Sequence, residues 1–193
     1  MTTKGHTLFQ TAIGACGIAW EGDVIVGAQL PEASETAALA RLARRLPDSV
    51  EAEPPPAIRR VIDRVVALIS GEKVMFGDVA LALDSVPDFH RKVYEVALAI
   101  PPGETLTYGE VARRTGEPGA AQAVGQALGK NPFPIIVPCH RVLAANGRTG
   151  GFSAHGSVET KLKLLSIERA RTSPEPTLFD GDAGFGFAAR PQR

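Results

Sequence analysis

Three prolines in seven residues dominate this chain. The run Asn131-Pro132-Phe133-Pro134-Ile135-Ile136-Val137-Pro138-Cys139-His140-Arg141-Val142 cannot be a helix or an ordinary central strand. Each proline lacks a backbone donor and biases its predecessor to extended geometry. The composition predicts an extended, mostly buried path under a site, with Asn131 bonding neighbouring backbone as in an Asx turn. It delivers Cys139 beside His140. A thiol reacts as thiolate, and a basic imidazole lowers its pKa, so the pair reads as an activated nucleophile. Adjacent side chains of an extended segment point opposite ways, which puts a bridging water between the two. Adjacency alone carries little, because a buried free cysteine more often behaves as a small hydrophobe.

Upstream, Leu8 to Ile13, Cys16 to Trp20 and Val24 to Leu30 are short β-prone runs separated by Gly14 and Glu21-Gly22-Asp23, predicting an antiparallel meander. Glu35 to Leu46 places Leu39, Leu42 and Leu46 on one stripe of an amphipathic helix. Its arginines Arg41, Arg44 and Arg45 read more readily as a solvated face than as phosphate ligands. A loop over Glu51 to Pro56 leads to a second helix marked by Ile58, Val61, Ile62, Val65 and Ile69 and closed by Gly71. Val79 to Leu83 reads as a further strand. His6, Cys16 and the later His90 are too few for four-coordinate zinc, and no metal is expected.

From Pro87, the residues Phe89, Val93, Val96, Ala97 and Ile100 define a helix ended by Pro101-Pro102-Gly103. Thr107-Tyr108-Gly109-Glu110 has the form of a capping box and starts a helix running to about Thr115. Gly116-Glu117-Pro118-Gly119 breaks it, and Ala120 to Leu128 forms another. Two short helices across such a turn are helix-turn-helix-like, and the small residues Ala120, Ala121, Ala123 and Gly125 suit either tight packing or close approach to a groove. Beyond a loop over Ala144 to Gly151, Ser157 caps a helix holding Val158, Leu162, Leu165 and, in its last turn, Glu168. A carboxylate there opposes the helix dipole, which hints at another use. Residues 172–193 read as a disordered tail.

The expected organisation is an α+β domain over 1–85 and a mostly helical domain over 86–171. Charge is unevenly divided between them. The first carries 8 basic against 11 acidic residues and the second 11 against 7, a modest basic footprint consistent with loose DNA contact. No apolar run approaches the ~20 residues of a membrane span, and Met1 to His6 lacks a signal-peptide core, so a cytoplasmic monomer with both cysteines reduced is expected.

Pro-Cys-His-Arg-Val at 138–142, preceded by Asn-Pro-x-Pro-Ile, resembles the active-site signature of the O6-alkylguanine-DNA alkyltransferases, the methylated-DNA–protein-cysteine methyltransferases. The resemblance extends through Phe89 to Tyr94, Pro102 to Gly109, Gly150 to Ser153 and Lys161 to Glu168. It implies a ribonuclease-H-like N-terminal fold and a winged-helix C-terminal one. It also implies irreversible, single-turnover transfer of an alkyl group from O6-alkylguanine, or O4-alkylthymine, in flipped-out duplex DNA to Cys139, without a cofactor. On matching positions, His140 takes the thiol proton through water, Glu168 orients His140 and Asn131 braces the turn. Tyr108 donates to the leaving guanine, Ser153 bonds O6, Phe152 stacks, and carbonyls near Cys139 and Val142 read the exocyclic amine. Thr107, Ala120, Gln122, Ala123 and Gln126 fall on the DNA-facing positions.

The chain departs from that pattern at Gln122, where the family usually has arginine, at Phe152, where many relatives have tyrosine, and at Ala154-His155, in place of a glycine pair. Pro176-Thr177-Leu178-Phe179 faintly resembles a sliding-clamp-binding peptide. Three rivals stay open: an alkylated-DNA sensor, whose known examples carry tryptophan at the cysteine position; a turning-over thiol hydrolase using Cys139, His140 and Glu168; and a bare winged-helix module in which Cys139 is only core.

Overall fold

The computed structural model describes residues 4–145 and 158–170. Its first three strands, β1 (Lys4–Thr11), β2 (Gly14–Glu21) and β3 (Val24–Gln29), form the expected antiparallel meander, with Phe9 opposite Cys16 and Ile18 opposite Ala28. β1 starts at Lys4, ahead of the apolar run that announced it. Pairing of Gly5 with Trp20 supplies the reason: a Cβ on Gly5 would lie 2.5 Å from the indole, so the glycine that weakens strand propensity lets the ring lie flat on the strand.

The sheet is mixed rather than purely antiparallel. β4 (Val50–Glu51), which runs into the expected loop at Glu51, pairs parallel to β1 and gives the order β3-β2-β1-β4. Conversely, the strand expected over Val79 to Leu83 shrinks to a bridge of Leu81 with Ile25, because turns at Phe76–Val79 and Leu83–Val86 leave little extended chain between them.

Helix α1 (Glu35–Arg45) is capped by the Ser34 hydroxyl, which accepts from the Ala37 amide at 3.2 Å, and buries Ala38 and Leu42. Helix α2 (Pro56–Ile69) buries Ile58, Val61, Ile62, Val65, Leu68 and Ile69. At about 1.5–3 kcal/mol per buried aliphatic side chain, that face outweighs any surface ion pair in fixing the helix.

Helix α3 (Asp88–Leu98) follows Pro87 and buries Val93, Tyr94 and Ala97. The Tyr94 hydroxyl donates to the carbonyl of Ala127 at 3.0 Å, tying α3 to α5 (Ala121–Gly129). Between them lie β5 (Leu106–Thr107) and α4 (Tyr108–Arg114), with both halves of the capping box formed. A single 3-10 turn, Cys139–Arg141, leads into β6 (Val142–Leu143), which pairs parallel to β5. That pairing sets Leu106 beside Val142 and Thr107 beside Leu143, and α4 then begins at Tyr108, whose phenol feels the charge of Cys139.

The last described helix, α6 (Val158–Ile167), faces differently from its expected stripe. Val158 and Leu162 are 42% and 47% exposed, while Lys161, Leu164, Leu165 and the following Glu168 are buried. Hydrophobic spacing misleads here because Lys161 has a partner inside, the Val142 carbonyl, and turns Val158 and Leu162 outward, while Leu165 and Glu168 are buried as expected.

Most buried residues of the sheet and of the helical half form one continuous cluster, and Ala19, Leu42 and Leu46 form a second, smaller one between the sheet and α1. At their junction the carbonyl of Pro132 accepts from the Ala28 amide at 2.9 Å and from Arg45 Nη1 at 2.6 Å. No described helix is long and apolar enough to cross a membrane. Phe152, Ser153, Ala154-His155, the Ser157 cap and residues 172–193, including the clamp-like peptide, lie outside the described residues.

Candidate active site

The proline-rich run does not stay extended. Ile135 has φ +75°, a left-handed conformation costly for a β-branched residue, and Pro134 bridges back to Val137. Asn131 holds this reversal. Its Oδ1 accepts from the Phe133 amide and its Nδ2 donates to the Val137 carbonyl, both at 2.9 Å, while the Val137 amide donates to Phe133 at 2.8 Å. The prolines fit a reversal because they leave fewer amides to satisfy in a buried loop. The Asx-type role expected of Asn131 is therefore present, on a path that doubles back.

Cys139 opens the 3-10 turn and is 3% exposed. Burial pushes its thiol pKa up, opposed by hydrogen bonding from Asn131, by the charge of Lys161 and by the amides of Cys139 and His140. The other thiol, Cys16, is raised by burial to about 11 and sits 3.7 Å from the Thr11 hydroxyl, an inert setting. His6 is engaged with Ser49 at 2.8 Å, and no group of three or more potential metal ligands occurs among the described residues.

His140, Arg141 and Glu168 form a buried network. Glu168 Oε1 lies 2.9 Å from His140 Nε2 and accepts from Arg141 Nη2 at 2.8 Å, while Oε2 accepts from Arg141 Nε at 2.9 Å. The remaining nitrogen, Arg141 Nη1, donates to the Ile100 carbonyl at 2.6 Å. Burial pushes the Glu168 carboxyl up, but the hydrogen bonds and charges of His140 and Arg141 prevail and hold it at about 2. An ionised Glu168 accepts only, so Nε2 carries the proton. His140 Nδ1 is then a bare acceptor, buried and without a partner among the described residues. Burial lowers the imidazole pKa, and the attraction of Glu168 does not overcome it.

Lys161 is wholly buried, donates to the Val142 carbonyl at 2.7 Å and lies 5.9 Å from the Tyr108 ring centroid. Burial brings its ammonium down to about 8, against the pull of Cys139. The Tyr108 phenol is raised by burial and by the Cys139 charge, so it stays protonated and able to donate. Lys161 and Arg141 escaped the sequence reading as site residues. The signal for Lys161 was helical spacing, since it and Glu168 stand seven apart on one face; that for Arg141 was its place inside the 138–142 signature.

Tyr108 also lines a groove of about 530 Å³ running along α5 past Gln122, Gln126 and Lys130. Gln122 and Gln126 are exposed there, whereas Ala120 and Ala123 are half-buried. The Thr107 hydroxyl is committed to its cap, donating to Glu110 Oε2 at 2.7 Å and accepting from the Glu110 amide. The structure thus gathers Cys139, His140, Glu168, Asn131, Tyr108 and Val142 in one place, with the α5 residues on an adjoining surface. Chemically the centre is a nucleophilic thiol with a proton acceptor, a fixed cation and a phenolic donor.

Residues 88–170 match the family model described as 6-O-methylguanine DNA methyltransferase, DNA binding domain. Over 126 residues the chain is 45% identical to the methylated-DNA–protein-cysteine methyltransferase of Mycobacterium bovis, covering 65% of this chain and 74% of that one. Identity to the enzyme so named in Methanothermobacter thermautotrophicus is 38% over 120 residues, 62% of this chain and 66% of that one. Among solved structures, the O6-methylguanine methyltransferase of Mycobacterium tuberculosis is similar at a TM-score of 0.69 and 34% identity, over 86% of this chain and 93% of that chain. Mycobacterium tuberculosis OGT in complex with DNA is similar at 0.69 and 35%, over 88% and 95%.

Proposed function

The chain belongs to the methylated-DNA–protein-cysteine methyltransferase family and directly repairs O6-methylguanine in DNA, and we propose that Cys139 is the acceptor. The observation that supports this choice is the bare Nδ1 of His140, the residue next to Cys139, whose other ring nitrogen is held by Glu168. His140 takes the thiol proton through a water, and the thiolate attacks the alkyl carbon. The S–C bond forms as the C–O6 bond breaks, and the electron pair leaves with guanine. Tyr108 donates to the departing ring, whose charge is neutralised by the proton lost from sulfur. The thioether is stable and no described group hydrolyses it, so each molecule acts once.

The target carbon lies inside a duplex stack, and reaching it requires extrusion of the base at a cost of a few kcal/mol. The α5 groove, with Gln122, Gln126 and Lys130, is the surface proposed to meet that cost through DNA contacts. A sensor that binds without reacting has no use for a thiol beside a held imidazole, which disfavours that rival.

The test is stoichiometric. Protein titrated against duplex bearing O6-methylguanine is expected to remove one lesion per molecule and then stop, and Cys139→Ser to remove none. Continued turnover, or repair by Cys139→Ser, contradicts the assignment.

A further inference from the structure

Resting on the reading of Cys139 and His140 as the reacting pair, one buried residue has no role in that chemistry as described. Arg141 is 1% exposed and spends every face of its guanidinium on two partners: both oxygens of Glu168 and the carbonyl of Ile100, just past the end of α3. A guanidinium offers this planar fork, and an ammonium does not.

We propose that Arg141 is a positioning residue for alkyl transfer, clamping Glu168 so that His140 rests with its proton on Nε2 and a bare Nδ1 as acceptor for the Cys139 proton. Two features carry this. Glu168 Oε1 is shared between His140 and Arg141, so the carboxylate faces the imidazole already neutralised by a permanent cation. The anchor at Ile100 then fixes the rotation of the whole group, because a fork held at three points has no freedom left in its plane.

The electrostatic consequence is opposite to that of an isolated carboxylate–imidazole pair. Such a pair raises the histidine pKa, whereas here burial first, and then Arg141 and Lys161, oppose the charged ring and Glu168 alone favours it. Cys139 is itself faced by Lys161 from α6, by Asn131, and by Tyr94 and Tyr108 from α3 and α4. Arg141 adds to the burial that keeps His140 neutral until the thiol gives up its proton.

The test reads the ring directly. Protein with 15N-labelled histidine, its His140 signals assigned by their loss in His140→Gln, is titrated by NMR without DNA. The expected result is an Nε2–H tautomer at neutral pH with a midpoint below about 6.5, the ordinary histidine value. A midpoint above about 7, or an Nδ1–H tautomer, overturns the proposal. Arg141→Lys keeps the charge but loses the fork; it is expected to slow transfer by about 10- to 100-fold and to disturb the tautomer. Wild-type rate and spectrum in that variant overturn the proposal too. Because the titration uses no DNA, in the parent and in Arg141→Lys alike, it judges the hold on the His140 ring separately from whether Cys139 is the acceptor.

Discussion

The side-chain amide of Asn131 donates through Nδ2 to the carbonyl of Val137 at 2.9 Å and closes a loop that ends two residues before Cys139. The same side chain accepts from Phe133, so one buried group adds two bonds to the Val137–Phe133 backbone bond that spans Ile135 in its left-handed conformation. Asn131→Ala leaves the buried Phe133 amide unpaired, at about 1–3 kcal/mol, and leaves the Val137 carbonyl with the Cys139 amide alone. Chemical denaturation is expected to show a loss of about 2 kcal/mol, with alkyl transfer impaired beyond the folded fraction. Asn131→Asp is expected to be no better, since it turns the donor to Val137 into a second acceptor.

Glu168 makes stability pH-dependent in acid. Its folded pKa, about 2, lies below the ordinary value of 4.5, so its contribution is fully present above about pH 4.5 and is lost as pH falls through 4.5 toward 2. The size is on the order of 3 kcal/mol for a buried carboxylate with this shift. Melting temperature measured from pH 6 to 2.5 is expected to fall in that window, and Glu168→Gln to be less stable at pH 6 but to fall less steeply.

Lys161 titrates near the working range. With a folded pKa of about 8 against 10.5, its charged form is disfavoured on folding, so this group alone makes stability rise between about pH 8 and 10.5. Above pH 8 the Cys139 thiolate loses its cationic neighbour. Lys161→Met is expected to be slower in alkyl transfer at pH 7 and to lack an inflection near pH 8 that the parent shows in single-turnover rates. An unchanged profile in the variant removes Lys161 from the thiolate's support.

Gln122 is an exposed, uncharged residue on the groove beside Tyr108. Gln122→Arg adds one phosphate-competent cation, and charged hydrogen bonds are worth about 1.5–3 kcal/mol against 0.5–1.5 for neutral ones. Fluorescence anisotropy on duplex DNA is expected to show tighter binding with a salt slope steeper by about 1. Equal affinity and slope count against the groove as the DNA surface.

Much of this was legible beforehand for identifiable reasons. The α2 stripe, the Thr107–Glu110 cap and the Asn131 brace are local signals, settled by neighbours within one or two turns. What escaped depends on distant partners. β4 exists because Gly5 and His6 offer an edge to Val50 and Glu51, which no pattern in two residues announces. The buried face of α6 was misjudged because Lys161 is inside, held by the Val142 carbonyl from elsewhere in the chain, while Glu168 meets His140 as expected. Hydrophobic spacing reads the cheap way to bury a helix; a reaction centre buries charge where the partners justify it.

One measurement bears on the sulfur itself. The folded protein is incubated with an oligonucleotide duplex carrying O6-methylguanine, and its intact and peptide masses are compared before and after. A gain of ~14 Da, one methylene's mass, confined to the peptide containing Cys139 is the expected result. A folded protein that leaves the lesion in place with Cys139 unmodified, or that carries the added mass on another residue, contradicts the assignment of that thiol as the acceptor.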